Sequence, residues 1–201
     1  MLYTTEDITA IILAGGQGKR LNYINKGLLD YQSKPMISHI IESVKPNVKQ
    51  ILVSANQDIH AYQQFGFPVI TDDNHNFQGP LAGILSCEQE TKTKLIYITP
   101  CDTPFLPKNL CLDLLDSLNK NDVSLCVAND GNRLQNLNLL MHKNLISSIK
   151  HYFDSGNRKV NHWIKQQKFS VVNYDKQIDF FININTKDDL VNLNRYDKSN
   201  K

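Results

Sequence analysis

Apolar residues follow two alternating patterns along this 201-residue chain. Short continuous apolar runs, such as residues 8–14 (ITAIILA), are typical of strands that are buried on both faces of a sheet. Other segments, such as residues 35–44 (PMISHIIESV), carry apolar residues at helical spacing after a proline that suits a first helical turn. The pattern therefore predicts that strands and helices alternate.

This alternation extends over nearly the whole chain. The predicted strands are residues 8–14, 50–55, 68–71, 94–99, 123–128, 137–141, 169–173 and 180–184. The predicted helices are residues 35–44, 59–65, 80–88, 107–118, 144–153 and 159–166, with a last helix that Thr186 caps and that has Asp188 and Asp189 in its first turn. We expect a single Rossmann-like α/β domain over residues 1–201, with three layers and a mostly parallel sheet. Its core spans about residues 8–193, and residues 195–201 form a polar tail.

Composition narrows the classes of partner. Hydrophobic residues make up 41% of the chain and charged residues 21%, which is close to the usual globular mixture. The 22 basic and 20 acidic residues give a formal net charge of +2. The sequence therefore lacks the excess of positive charge that is typical of proteins that bind nucleic acid or an anionic membrane. We expect neither partner, and any bound anion must be held by local geometry.

Cysteine and histidine spacing gives no indication of a zinc site. Cys87, Cys101, Cys111 and Cys126 are far apart, without a CxxC pair, and are expected to be reduced and mostly buried. The six histidines show no HxH or HExxH spacing. The short polar N-terminus lacks the pattern of a signal peptide, which favours a cytoplasmic location.

A glycine-rich segment follows the first predicted strand. Gly15, Gly16 and Gly18 come directly after the apolar run, where glycines let backbone N–H groups cradle a phosphate. Lys19 and Arg20 then supply positive charge to an anion held there. The segment is neither a Walker loop nor a GxGxxG motif. An ordinary tight turn between strand and helix is the alternative.

Two charged residues are candidates for phosphate and metal chemistry. Lys26 lies shortly after the glycines and could fold back over bound phosphates. Asp102 follows the strand predicted at 94–99, and the carboxyl ends of strands are where open α/β sheets bind ligands. Because Mg²⁺ needs only one or two carboxylates besides substrate phosphates, a lone aspartate is sufficient. The alternatives are a solvated lysine and an aspartate that caps a helix.

A second cluster could contact a nucleotide. Asp72 follows the strand predicted at 68–71. Gly79 and Gly83 lie at the start of the next predicted helix, where glycine permits a close approach of the backbone to a planar base. A rigid turn before a helix is the alternative interpretation.

The motifs LAGGxxxR, NKGLL, KPM, SAN, GPLAG, PCDTP and NxNT resemble those of the molybdenum cofactor guanylyltransferases, bacterial enzymes of the nucleotide-diphospho-sugar transferase superfamily. The resemblance extends from about residue 8 to residue 193. It implies transfer of GMP from GTP to the phosphate of molybdenum-molybdopterin, forming the guanine dinucleotide and pyrophosphate with Mg²⁺ as cofactor. It also implies molybdenum-insertion proteins and molybdoenzyme chaperones as protein partners.

The same resemblance implies roles for individual residues. The catalytic residues are Arg20, Lys26 and Asp102, of which Asp102 binds the metal. The nucleotide-binding residues are Leu13, Ala14, Gly15, Lys26, Asn56, Asp72, Gly79, Gly83 and Asp102. The acceptor-side residues are Arg158, Asn183 and Asn185.

The sequence departs from the family pattern at three places. Ser54 and Asn25 stand where the family often has asparagine and aspartate, and residues 133–137 (RLQNL) lack an expected proline. A cytidylyltransferase acting on molybdopterin and a sugar-phosphate nucleotidyltransferase are alternatives with the same chemistry. A non-catalytic nucleotide-binding regulator is a third alternative, but such a protein would be expected to lose Lys26 or Asp102.

Overall fold

The structure is a computed structural model that describes residues 2–16, 25–72, 78–175, 178–184 and 189. Its strands are Ile8–Leu13 (β1), Asp30–Tyr31 (β2), Lys34–Pro35 (β3), Gln50–Ser54 (β4), Val69–Ile70 (β5), Leu95–Pro100 (β6), Leu125–Asn129 (β7), Leu134–His142 (β8) and Phe169–Asn173 (β9). Its α-helices are Met36–Val44 (α1), Ile59–Gln63 (α2), Pro80–Ser86 (α3), Leu110–Lys120 (α4), Ile146–Asp154 (α5) and Val160–Ile164 (α6).

Seven of the strands form one sheet in the order β5-β4-β1-β6-β8-β7-β9. The strands β5, β4, β1 and β6 are parallel, and β7 pairs with β9 in parallel as well. Strand β8 lies between β6 and β7 and is antiparallel to both. The predicted mostly parallel sheet is therefore confirmed, with β8 as its one reversed strand. Strands β2 and β3 form a separate small hairpin.

Helices cover both faces of the sheet, which confirms the three predicted layers. Along β1 the side chains alternate between the faces: Ile12 packs in one core cluster with Ile37 of α1 and Leu114 of α4. Ile11 packs in the other cluster, which includes Trp163 of α6. Each such fully buried side chain contributes about 1.5–3 kcal/mol. Since β1 is apolar toward both faces, the continuous apolar run in the sequence is explained.

The strand predicted at residues 180–184 is wrong. Ile178–Phe181 instead form a 3₁₀ helix, and the chain is irregular from there to Ile184. Phe181 and Ile184, three residues apart, are both buried, and the Ile184 N–H donates to the Asp102 carbonyl at 2.9 Å rather than to a neighbouring strand. The last predicted helix, from Thr186, lies outside the described residues apart from Asp189.

The prediction for the cysteines can be compared with the described ranges. All four cysteines are buried and none is in a disulfide, as predicted. Within these ranges no helix has the length and apolar character needed to cross a bilayer.

Candidate active site

Four parallel strands of the sheet end at the same edge, and a cleft of about 410 Å³ opens there. All nine residues predicted to bind the nucleotide line this cleft, together with Asn183 from the predicted acceptor side. They are Leu13, Ala14, Gly15, Lys26, Asn56, Asp72, Gly79, Gly83 and Asp102. The carboxyl edge of a parallel sheet is where α/β proteins bind ligands, and the sequence reasoning therefore located one coherent site.

Backbone hydrogen bonds hold the ends of the three central strands together below the cleft. The Ala14 N–H donates to the Ser54 carbonyl at 2.8 Å, and the Cys101 N–H donates to the Leu13 carbonyl at 3.1 Å. Beyond this point, a Cβ placed on Gly16 would meet no described atom within 4 Å. The described residues therefore leave space beside Gly16, which suits a segment that binds phosphate through its backbone.

Lys26 and Asp102, 76 residues apart in the sequence, form an ion pair in the cleft. The Lys26 Nζ lies 3.2 Å from the Asp102 Oδ2, and the side chains are 25% and 14% exposed. Lys26 begins the 3₁₀ turn Lys26–Leu28, and Asp102 lies two residues after the end of β6. Because both groups are largely shielded from water, their attraction exceeds that of an exposed surface pair. A triphosphate and a cation that enter the cleft would each find a charged partner.

Asp72 carries an oxygen that no described group satisfies. Its backbone N–H donates to the Asn56 Oδ1 at 3.0 Å, which fixes the strand end against the neighbouring loop. The Asp72 residue is only 8% exposed, and its Oδ1 is buried without a hydrogen-bond partner among the described residues. A buried polar atom without a partner costs about 1–3 kcal/mol. This oxygen could therefore accept a hydrogen bond from a bound nucleotide.

The structure gives a packing reason for glycine at position 83. A Cβ on Gly83 would lie 2.5 Å from the Ser54 Oγ and 3.2 Å from the Leu13 Cδ2. Helix α3 therefore packs closely on the ends of β1 and β4. Although Gly83 lines the cleft, a larger side chain there would meet the protein's own residues, so a Gly83→Val variant would not isolate a contact with the base.

We expect Gly83→Ala to destabilise the protein, even though alanine favours a helix interior by about 1 kcal/mol over glycine. The added Cβ would displace the Ser54 Oγ, and overpacking of this kind costs about 1–3 kcal/mol. In a Ser54→Ala background the same substitution should cost clearly less, because, of the two close contacts, only the 3.2 Å contact with the Leu13 Cδ2 remains. Denaturant unfolding of the four proteins measures this coupling, and purely additive changes would contradict the packing explanation.

Arg158 is not brought into the cleft. Its guanidinium donates to the carbonyls of Phe153 and Asn157 and to the Gln78 Oε1, the last at 2.9 Å, and it lies over the Phe153 ring at 3.7 Å. Since Gln78 precedes Gly79 of the cleft wall, Arg158 is held at the end of α5, beside the rim. Arg20 and Asn185 lie outside the described residues.

Several residues that line the cleft have no role assigned from the sequence, among them Ser54, Asn25, Cys101 and Leu137. Ser54 and Asn25 are noted only as departures from the family pattern, and Cys101 only as a buried cysteine within the PCDTP motif. Burial raises the pKa of the Cys101 thiol far above its usual range, so the thiol stays protonated and is a poor nucleophile. Among the described residues, none of those that line the cleft is a histidine, and no group of three or more His, Cys, Asp or Glu side chains could hold a metal.

Comparisons with known proteins give consistent matches. Residues 10–171 match the family described as the MobA-like NTP transferase domain. The molybdenum cofactor guanylyltransferase of Shewanella sediminis (strain HAW-EB3) is 39% identical over 179 residues, which cover 89% of this chain and 91% of that protein. The protein of the same name from Shewanella piezotolerans (strain WP3 / JCM 13877) is 39% identical over 182 residues, covering 90% and 89%.

Solved structures share the fold at much lower identity. The molybdopterin-guanine dinucleotide biosynthesis protein A of Archaeoglobus fulgidus has a TM-score of 0.77 at 18% identity and is covered over 99% of its chain, against 95% of this one. The 4-diphosphocytidyl-2C-methyl-D-erythritol synthase of Anaerococcus prevotii has a TM-score of 0.73 at 15% identity, covering 96% of this chain and 97% of that one. Two differently named proteins thus share one architecture, and the fold alone does not select between their substrates.

Proposed function

We propose that this chain, which belongs to the family of MobA-like NTP transferase domains, transfers GMP from GTP to the phosphate of molybdenum-molybdopterin. The observation that carries this proposal is the cleft at the strand ends, in which a lysine and an aspartate meet 3.2 Å apart and which Gly15 and Gly16 also line. Such a cleft offers separate partners for a polyphosphate and for a cation. The names of the curated relatives support guanine as the base and molybdopterin as the acceptor.

The proposed reaction is a nucleotidyl transfer. An oxygen of the acceptor phosphate attacks the α-phosphorus of GTP, a new P–O bond forms, and pyrophosphate leaves with the electrons of the bond that breaks. Because a phosphate monoester is already anionic near neutral pH, the site needs no strong general base, and the described lining of the cleft contains no histidine. Catalysis then consists of positioning and charge neutralisation.

Each element of the described cleft has a part in this chemistry. Lys26 offsets the negative charge of the triphosphate, and the backbone of Gly15 and Gly16, which line the cleft, accommodates its oxygens. Asp72 accepts a hydrogen bond from the nucleotide through its Oδ1, which has no partner among the described residues. Asn183 lies on the acceptor side, in a segment that the Ile184 N–H ties to the Asp102 carbonyl. Arg20 is proposed as a second cation from the sequence alone.

The donors in the cleft fit a magnesium ion. Asp102 is a cleft carboxylate that is only 14% exposed, and Mg²⁺ is commonly held by one or two carboxylates together with substrate phosphates. The described cleft has neither the histidine nor the multiple thiolate ligands that zinc prefers. We propose Asp102 as the residue that holds Mg²⁺, whose bound form would supply positive charge to the phosphate oxygens.

We expect the enzyme to select GTP over ATP and CTP. A site that pairs buried polar groups with one base rejects the others by roughly 100-fold or more, since a mismatch leaves those groups unpaired. The groups proposed to take part lie in the first half of the chain, around Leu13 to Gly15, Asp72 and Gly79 to Gly83. The measurement is kcat/KM for each triphosphate with molybdopterin as acceptor and the product identified by mass. A preference for CTP would establish the cytidylyltransferase alternative instead.

The cellular location and the protein partners are proposed from the sequence. We place the enzyme in the cytoplasm, where molybdenum-insertion proteins would deliver its acceptor and molybdoenzyme chaperones would receive its product. Copurification of the chain with such proteins tests these partners.

A further inference from the structure

A buried tyrosine hydroxyl lies beneath the turn that carries Lys26. Tyr62 of α2 is fully buried, and its hydroxyl donates to the Asn25 Oδ1 at 2.5 Å. The Asn25 Nδ2 in turn donates to the Asp58 Oδ2 at 3.3 Å, and Asn25 is only 6% exposed. Both ends of the Asn25 amide are thus bonded, so its orientation is fixed. Asn25 immediately precedes Lys26, and its carbonyl accepts from the Leu28 N–H at 3.1 Å to close the turn.

The same hydroxyl also contacts the turn on its other side. A Cβ on Gly27 would lie 2.5 Å from the Tyr62 Oη and 3.1 Å from the Cys101 Sγ. Only a glycine at this position lets the backbone of the turn rest on both groups. Cys101 directly precedes Asp102. The Cys101 side chain that packs on Gly27 therefore links the turn of Lys26 to the backbone beside Asp102.

We infer that Tyr62 is a positioning residue for the nucleotidyl transfer: its hydroxyl fixes Asn25 and the Gly27 turn, and thereby sets the Lys26 ammonium against Asp102 and the incoming triphosphate. This inference rests on the proposed function. The apolar core to which the ring belongs would hold the helix without the hydroxyl, so the hydroxyl serves the turn rather than the fold. Burial raises the pKa of Tyr62 far above its usual range, and the hydroxyl therefore keeps the proton that it donates to Asn25.

The test is a double-mutant cycle between Tyr62→Phe and Lys26→Ala. Phenylalanine keeps the ring in the core and removes only the hydroxyl. In the wild-type background we expect kcat/KM for GTP to fall about tenfold, the effect of losing one well-placed hydrogen bond. In the Lys26→Ala background the same change should cost less than about twofold, because residues that act through one another are not additive. Equal losses in both backgrounds would overturn the inference.

Tyr152→Phe is the matched control. Tyr152 is also nearly buried and its hydroxyl donates to the Lys159 carbonyl at 3.1 Å, but it packs in the core cluster on the opposite face of the sheet and does not line the cleft. The two variants remove one tyrosine hydroxyl each. We expect Tyr152→Phe to lower stability with an unchanged kcat/KM. If it lowers kcat/KM as much as Tyr62→Phe does, the effect of Tyr62 is a general one on the fold.

A second measurement needs no substrate and so separates this inference from the proposed function. The rate at which formaldehyde and borohydride methylate the Lys26 amine is read by peptide mass spectrometry. We expect methylation to be about threefold faster in Tyr62→Phe, because a loosened turn exposes the amine that Asp102 shields. The rate in Tyr152→Phe should not change. An unaltered rate in Tyr62→Phe would contradict the inference, whereas a wild type that methylates as expected but transfers no GMP would contradict only the proposed function.

Discussion

Replacing Asp102 by alanine is expected to abolish nucleotidyl transfer, lowering kcat by about 1,000-fold or more while the fold is retained. Asp102 is a largely shielded carboxylate in the cleft, and it is the proposed ligand of Mg²⁺. Its loss removes the group that would hold the metal against the phosphates. Binding of Mn²⁺ in the presence of GTP, followed by electron paramagnetic resonance, should be lost together with turnover.

The matched control for this experiment is Asp116→Ala. Asp116 also forms an ion pair with a lysine, Lys120, but on the exposed surface of α4. Surface pairs of this kind contribute about 0–1 kcal/mol, so the variant should keep full activity and nearly full stability. Near-normal turnover that still depends on Mg²⁺ in Asp102→Ala would show that the metal is held elsewhere.

Lys26→Ala is expected to lower kcat/KM for GTP by about 100-fold, which corresponds to about 2.7 kcal/mol of transition-state stabilisation. In the absence of nucleotide, the same substitution should strengthen the binding of a divalent cation. Lys26 pairs with the Asp102 carboxylate, and removing its charge leaves that carboxylate more attractive to a cation. We therefore expect tighter binding of Mn²⁺ without nucleotide and weaker binding of GTP, both measured by calorimetry.

Lys34→Ala is the control for a lysine near the same turn. Lys34 is bonded to the Glu42 carboxylate on the surface and is not part of the cleft wall. Its removal should leave GTP affinity unchanged and alter stability only slightly. An equal GTP affinity of wild type and Lys26→Ala would contradict the role proposed for Lys26.

Most of the strands, and the grouping of the selected residues in one cleft, could be predicted because they depend on local signals. The apolar run at β1 and the polar or glycine residues that follow it are consecutive in the sequence. Once the sheet is known to be parallel, residues that follow different strands, such as Asp72 and Asp102, must meet at one edge. The prediction therefore needed only the strand ends and not the contacts between them.

Other features could not be predicted from the sequence because no local pattern encodes them. The apolar residues of β8 are the same whether the strand is parallel or reversed, so its direction follows only from pairing with β6 and β7. Residues 180–184 contain an apolar run that suits a strand, and its true conformation depends on a hydrogen bond to Asp102. The contact of Tyr62 with Asn25 joins residues 37 positions apart. In each case tertiary contacts override the local preference.

The place of β8 in the sheet has a consequence for the order in which the protein assembles during synthesis. Strand β6 is complete at Pro100, yet one of its two edges stays without a partner until β8 has been made, up to His142. At ribosomal speeds this interval lasts a few seconds. During it, a wholly buried apolar strand presents open backbone groups, which is the kind of edge that pairs with other chains. We therefore expect nascent chains stalled between α4 and β8 to aggregate more readily than the completed protein.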